Sequence, residues 1–239
     1  MKTVIFIPTY NSEEFIVKTL DSLQDQRGVE RFGICVVDNN STDNTVKIAR
    51  QYQDVEVFKN KKDIGRIQNW NKCLDLFRQQ KGYNSMKFVF AGDRLKQKCL
   101  IKQLEYINKA TPIVTCAHEV KRKKGDYIMR HFDTQKVLTP EESLRKAEKE
   151  GNWIAGCMAC PMFTKEALGD LRFSEKMKWA SDWLFWTQLS EKGNIRYLDE
   201  ALVEFTMDAR LHYAKLASTN NSQQEELFVK NYIKDNLSK

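Results

Sequence analysis

Short β-branched apolar runs and amphipathic stretches take turns along the first hundred residues. Residues 3–8 form an apolar run ended by Pro8, which predicts a buried strand. Ser12 then stands as an N-cap before Glu13 and Glu14, and Phe15, Ile16, Thr19, Leu20 and Leu23 follow helical spacing. A second apolar run, residues 32–37, meets the polar stretch Asp38-Asn39-Asn40-Ser41-Thr42-Asp43. Thr42 or Asp43 can cap the next helix, which carries Val46, Ile48 and Ala49. Residues 55–58 predict a third strand and residues 67–77 a third helix, with Trp70, Cys73, Leu74 and Phe77 on one side. A fourth strand, residues 87–91, ends at Gly92-Asp93.

This order describes successive βαβ units, which build a mostly parallel sheet covered on both faces. Ligands of such sheets bind beyond the carboxyl ends of the strands. Thr9, Asp38 and Asp93 each follow a strand, so three polar turns converge on one edge.

The second half is less regular. Residues 100–107 predict a helix and 112–116 a strand. Residues 121–125 predict a hairpin turn, with a strand at 127–131. Thr139-Pro140-Glu141-Glu142 is a helix start with proline at the first position, and that helix runs to about Glu150. Residues 182–192 predict a helix with Trp183, Phe185, Trp186 and Leu189 as its bulky members. Residues 195–198 and 202–205 predict two closing strands. Residues 218–224 form a polar break before a basic amphipathic helix over 225–239, with Leu227, Phe228 and Tyr232 on one face. The expected layout is one domain over 1–217, with a nucleotide-binding half (1–95) and an acceptor-binding half (96–217), followed by the helical tail 218–239.

A chain of 239 residues with 41% hydrophobic and 30% charged residues can bury a sizeable core without a disulfide framework. Cysteines at 35, 73, 99, 116, 157 and 160 sit mostly in apolar runs, and free cysteines point to a reducing compartment. Cys157 and Cys160 form a lone C-x-x-C without the second knuckle or histidine pair of a zinc site. No stretch reaches the roughly 20 apolar residues of a membrane span, and the expected location is cytoplasmic. The net charge of +7, with Lys121-Arg122-Lys123-Lys124 contributing, suits anionic substrates or an anionic membrane face. No nucleic-acid-binding module motif accompanies it. The charge and apolar stripe of the C-terminal helix fit either peripheral contact with the inner membrane face or a homodimer contact.

Five segments resemble family 2 glycosyltransferases of the GT-A type. Val4-Ile5-Phe6-Ile7-Pro8-Thr9-Tyr10-Asn11 resembles the first strand and nucleotide-contacting turn of that family. Val36-Val37-Asp38-Asn39-Asn40-Ser41-Thr42-Asp43-Asn44-Thr45 resembles its second signature, and Gly65-Arg66-Ile67-Gln68-Asn69-Trp70-Asn71-Lys72-Cys73-Leu74 its third. Phe88-Val89-Phe90-Ala91-Gly92-Asp93-Arg94-Leu95 takes the place of the acidic motif, and Ser181-Asp182-Trp183-Leu184-Phe185-Trp186 that of the segment supplying the base. The likeness spans most of the chain to about residue 205.

The resemblance implies a GT-A fold: a Rossmann-like, mostly parallel central sheet flanked by helices, with a smaller acceptor-side subregion. It also implies inverting transfer of a sugar from a nucleotide diphosphate sugar, a UDP-sugar being favoured, to a hydroxyl of a surface glycan or lipid-linked glycan. Such a transfer must hold the base, neutralise the leaving diphosphate and take a proton from the acceptor. By resemblance, Pro8, Thr9, Tyr10 and Asn11 line the base pocket, and Asp38 accepts the imide N–H of uracil or a similar base. The alternative for Asp38 is an Asx-turn acceptor. Arg66 contacts base or diphosphate, with Asn69 beside it. Gly92 stands where relatives carry an acid that touches ribose. Asp93 keeps the place of the carboxylate that binds Mn2+ or Mg2+, and Arg94 or Lys96 can assist or replace the ion. His212, followed by Asp208, is the candidate for a second metal or phosphate contact. Asp182 is the general base, the alternative being an N-cap of its own helix. Trp179, Trp183 and Trp186 suit sugar C–H faces. His118 and His131 are assigned no role.

Two other functions compete. A nucleotide-sugar-binding protein that has lost catalysis is motivated by the thinned acidic motif. A nucleotidyltransferase opens with a Gly-rich phosphate loop, and Pro8-Thr9-Tyr10-Asn11 is not one.

Overall fold

A computed structural model describes residues 1–154, 157–207 and 220–238. The first half runs β1 (Thr3–Thr9), α1 (Glu13–Gln24), β2 (Gly33–Asp38), α2 (Thr45–Ala49), β3 (Val55–Lys59), α3 (Arg66–Gln79) and β4 (Ser85–Phe88). Then come β5 (Arg94–Leu95), α4 (Cys99–Tyr106), β6 (Ile113–Lys121), β7 (Tyr127–Met129), β8 (Lys136–Leu138) and α5 (Pro140–Glu150). The remainder is β9 (Met162–Thr164), α6 (Lys165–Leu168), α7 (Ser181–Ser190), β10 (Ile195–Thr206) and α8 (Asn220–Leu237).

The described strands form one sheet in the order β3-β2-β1-β4-β9-β6-β10-β5, with β7 on β6 and β8 on β10. β1 pairs in parallel with both β2 and β4, and β2 with β3. The antiparallel β9 links β4 to β6, and β6 pairs in parallel with β10. The main strands therefore share one direction, and their carboxyl ends share one rim. β1 is buried along its whole length because helices cover both faces. One core lies under α3, α5, α7 and α8, around Trp70, Phe77, Phe163, Trp186 and Ile233. The other lies under α1 and α4, around Ile5, Leu20, Leu100 and Val203. Lys87 of β4 is fully buried in the sheet, its ammonium donating to the Cys160 carbonyl at 2.8 Å.

Four expectations are corrected. The fourth strand ends at Phe88 rather than Ala91, because the chain turns early through Phe90 and Gly92. The two closing strands are one, β10, whose pairing with β6 shifts register between Leu198 and Val203. The polar break is not a break where it is described: α8 already begins at Asn220. Its packed face carries Ser222, Val229 and Ile233, while Leu227 and Phe228 remain 58% and 53% exposed. Nor is α8 basic, since Glu225, Glu226 and Asp235 outnumber Lys230 and Lys234 across it. Val229 and Ile233 are one helical turn apart, and that spacing selects the buried face. Among the described residues no helix is long and apolar enough to cross a membrane.

The start of α5 follows its sequence signature. Thr139 accepts from the Glu142 amide, and the Glu142 side chain accepts from the Thr139 amide, closing a capping box with Pro140 at the first helical position. Thr139→Ala is expected to cost about 1 kcal/mol. Thermal unfolding should register it as a melting temperature lower by about 2–4 °C.

Candidate active site

Thr9 ends β1 and Asp38 ends β2, side by side in the parallel register. Asp38 is fully buried. Its Oδ1 accepts from Thr9 Oγ1 at 3.1 Å and Ser41 Oγ at 2.5 Å, and its Oδ2 accepts from the Ser41 amide at 2.8 Å. The carboxylate thus closes an Asx-type turn and clamps two strand ends together. Thr9 and Pro8 are buried with it, whereas Tyr10 stands 51% exposed at the rim. Asn11 takes a positive φ of 45°, a conformation asparagine tolerates, and its Oδ1 accepts from the Thr42 amide at 2.9 Å.

Asn69 faces inward. It donates to the Val37 carbonyl at 2.9 Å and accepts from Asn60 at 2.9 Å. Asn60 also donates to Asn39, and Asn39 donates to Asp63, so a polar network ties α3 to the ends of β2 and β3. Arg66 leads α3 after Gly65, whose φ of 82° glycine adopts freely. Its guanidinium lies over Trp70 at 4.8 Å and donates to the Lys178 carbonyl. That bond joins the start of α3 to the segment just before α7.

Gly92 has a φ of 100°, a left-handed conformation that an acidic residue could adopt only with strain. The missing acid of the motif is therefore a backbone requirement of this turn. Gly92 is held by Thr19 Oγ1, which accepts from its amide at 2.9 Å, and by Thr206 Oγ1, which donates to its carbonyl at 2.7 Å. Asp93 is fully buried, with Oδ2 3.9 Å from Cys157 Sγ. Outside it, Arg94 pairs with Glu204 at 3.5 Å and Lys96 with Glu119 at 2.9 Å.

A divalent cation needs carboxylate oxygens that reach its coordination sphere. Asp93 is buried and Gly92 brings no oxygen from a side chain. Among the described residues, no three His, Cys, Asp or Glu side chains gather in a way that could hold a metal ion. Among the described residues Asp93 would supply one carboxylate to a divalent cation, and the phosphates of a bound donor would complete its coordination. Asp208 and His212 lie outside the described residues.

Asp182 sits in the first turn of α7, half-buried, and its Oδ2 accepts from Asn152 Nδ2 at 3.3 Å. The N-cap of α7 is Ala180. Asp182 is thus inside the helix rather than its cap, and Ser181 spends its hydroxyl on the Ser174 carbonyl at 2.9 Å. The tryptophans expected to face sugar are corrected. Trp186 is fully buried, Trp183 is 8% exposed, and only Trp179 is half-exposed.

Burial pushes His118 down to about 4, and burial also lowers His131. The six cysteines are free and buried, and burial pushes Cys35 up to about 12. The sequence missed Asn60, Asp63 and Asn152. Asn60 and Asp63 had a faint signal as polar residues between a strand and a glycine-led helix; Asn152 had none. A separate groove of about 690 Å³, lined by Cys35, Glu56, Gln80 and Tyr83, opens at the amino ends of β2 and β3, away from this rim.

The pattern of Glycosyl transferase family 2 matches residues 4–172. The chain belongs to that family. A putative teichuronic acid biosynthesis glycosyltransferase of Bacillus subtilis, TuaG, is 25% identical over 209 residues, covering 85% of this chain and 78% of TuaG. An uncharacterized glycosyltransferase of Haemophilus influenzae is 24% identical over 232 residues, covering 93% of this chain and 69% of the relative. The crystal structure of residues 1–349 of S. aureus TarS with UDP superposes with a TM-score of 0.71 at 21% identity, covering 94% of this chain and 68% of that one. A mannosyltransferase of Pyrobaculum calidifontis, in complex with GDP-Man and Mn2+, gives a TM-score of 0.60 at 18% identity, covering 97% of this chain and 69% of that one. This glycosyltransferase has the GT-A fold.

Proposed function

We propose that this family 2 glycosyltransferase transfers a sugar, with inversion, from a UDP-sugar to a hydroxyl of a surface glycan or glycolipid. The observation that carries it is the bond from Arg66 to Lys178, which brings the nucleotide-binding half against the segment bearing Asp182. Asp182 takes the proton of the acceptor hydroxyl as its oxygen attacks the anomeric carbon, and the diphosphate departs from the opposite face. The transfer needs no covalent intermediate.

Tyr10 offers the base an exposed aromatic face, beside the turn held by Asp38. Arg66 supplies a planar cation on the donor side. Arg94 and Lys96 can join it by exchanging their surface carboxylate partners, since such exposed pairs hold only about 0–1 kcal/mol. Asp93, with the phosphates of the donor, would hold the Mn2+ or Mg2+ that the resemblance implies, and the ion would neutralise the leaving diphosphate. The C-terminal helix lacks the basic charge that contact with an anionic membrane face would use. The relatives suggest the acceptor: TuaG is named for teichuronic acid, and TarS as a poly(ribitol-phosphate) β-N-acetylglucosaminyltransferase. A net charge of +7 suits an anionic polymer of that kind.

Incubation with a panel of UDP- and GDP-sugars tests the donor. Release of UDP from one UDP-sugar supports the proposal, turnover confined to GDP-sugars overturns the base assignment, and binding without release from any donor favours a catalytically silent binder. Tyr10→Ala is expected to weaken UDP binding about tenfold, the loss of one base-stacking face, in calorimetric titration. An unchanged affinity would remove Tyr10 from the site.

A further inference from the structure

We propose that Glu225, on the C-terminal helix, is a positioning residue for the Asp182 base. The inference rests on the assignment of Asp182 above. The amides that open a helix and the turn before it need acceptors. Ala180 at the N-cap of α7 offers no side-chain acceptor. Glu225 supplies one from a distant part of the chain. Its Oε1 accepts from the Lys178 amide at 2.9 Å, and its Oε2 accepts from the Trp179 and Ala180 amides at 2.7 and 2.9 Å. Glu226 adds a bond from Trp179 Nε1 at 3.0 Å.

One carboxylate thus holds the three consecutive amides of Lys178, Trp179 and Ala180, two residues short of the base. Bonds to an ionised acceptor are the stronger kind. Arg66 holds the Lys178 carbonyl of the same segment, and Ser181 is tied back to Ser174. The base-bearing turn is therefore gripped by α3 and by α8. Glu225 thus holds the approach to α7, and Asp182 follows in the first turn of the helix, next to Asn152. Docking of α8 through Val229 and Ile233 sets where Glu225 stands. The helix that the sequence suggests for a membrane or a second subunit thereby becomes part of the catalytic scaffold.

The test compares Glu225→Gln, Glu225→Ala and Asp182→Asn in the full chain, using the UDP-sugar that the protein turns over. Glu225→Gln keeps the shape but removes the charge, and is expected to lower kcat about tenfold, with Glu225→Ala lower still. UDP affinity by calorimetry should stay within about twofold, a split between kcat and binding that mere loosening of the fold does not produce. Amide hydrogen exchange at residues 178–180 should accelerate. Should Glu225→Ala lose its fold, the isosteric Glu225→Gln carries the comparison alone. An unchanged kcat per folded molecule, with only a lower melting temperature, overturns the positioning role. If Asp182→Asn retains wild-type kcat, the base assignment fails instead, whatever Glu225 does.

Discussion

Asp182→Asn is expected to lower kcat by about 10²–10⁴-fold, the contribution of a positioned general base, while UDP binding stays unchanged. Asparagine keeps the size and the bond to Asn152 in altered form, but it cannot accept a proton. Asp182 sits in the first turn of α7, half-buried and a few residues beyond the Lys178 carbonyl that Arg66 holds in the same segment. Stopped assays of UDP release, with calorimetry on the same preparation, separate chemistry from binding. Full activity in this variant would remove the general base from the proposal and leave the fold assignment untouched.

The largest expected effect on stability is that of Trp186→Ala. Trp186 is fully buried, with its ring 5.6 Å from Phe163 and 5.1 Å from Phe185 in edge-to-face contact. Its Nε1 donates to Met158 Sδ at 3.1 Å. Truncation removes the largest apolar side chain where α7 packs on β9, at a cost of about 3–5 kcal/mol. For a chain of this length that is a melting temperature lower by roughly 10 °C. Because α7 also carries Asp182, activity should fall at temperatures well below the new midpoint. A loss under about 1 kcal/mol would mean that the site collapses around the void.

Local periodicity made the first half legible. β1, β2 and β3 alternate with α1, α2 and α3 in the order the apolar runs predict, because a βαβ unit is encoded by neighbours in sequence. The capping box of α5 was equally readable, since all its parts lie within four residues. The three-residue strands β8 and β9 were not, being too short to show a period. The exposed Leu227 and Phe228 misled for another reason: an apolar pair on a helix announces a sticky face but not which face meets the core.

Residue types and their order determined that this chain makes a parallel sheet with polar turns at its strand ends, and that an aspartate stands ready near the start of a late helix. Tertiary contacts decided the long-range surroundings of those aspartates. Asp38 adds a bond from Thr9 to the local ones from Ser41, Asp93 is buried against Cys157, and Asp182 follows a segment held by Glu225 of α8. The physical reason is range. Backbone conformation follows from side chains a few residues apart, whereas the partner of a carboxylate is whatever donor the fold brings within about 3 Å, wherever that donor lies in the chain.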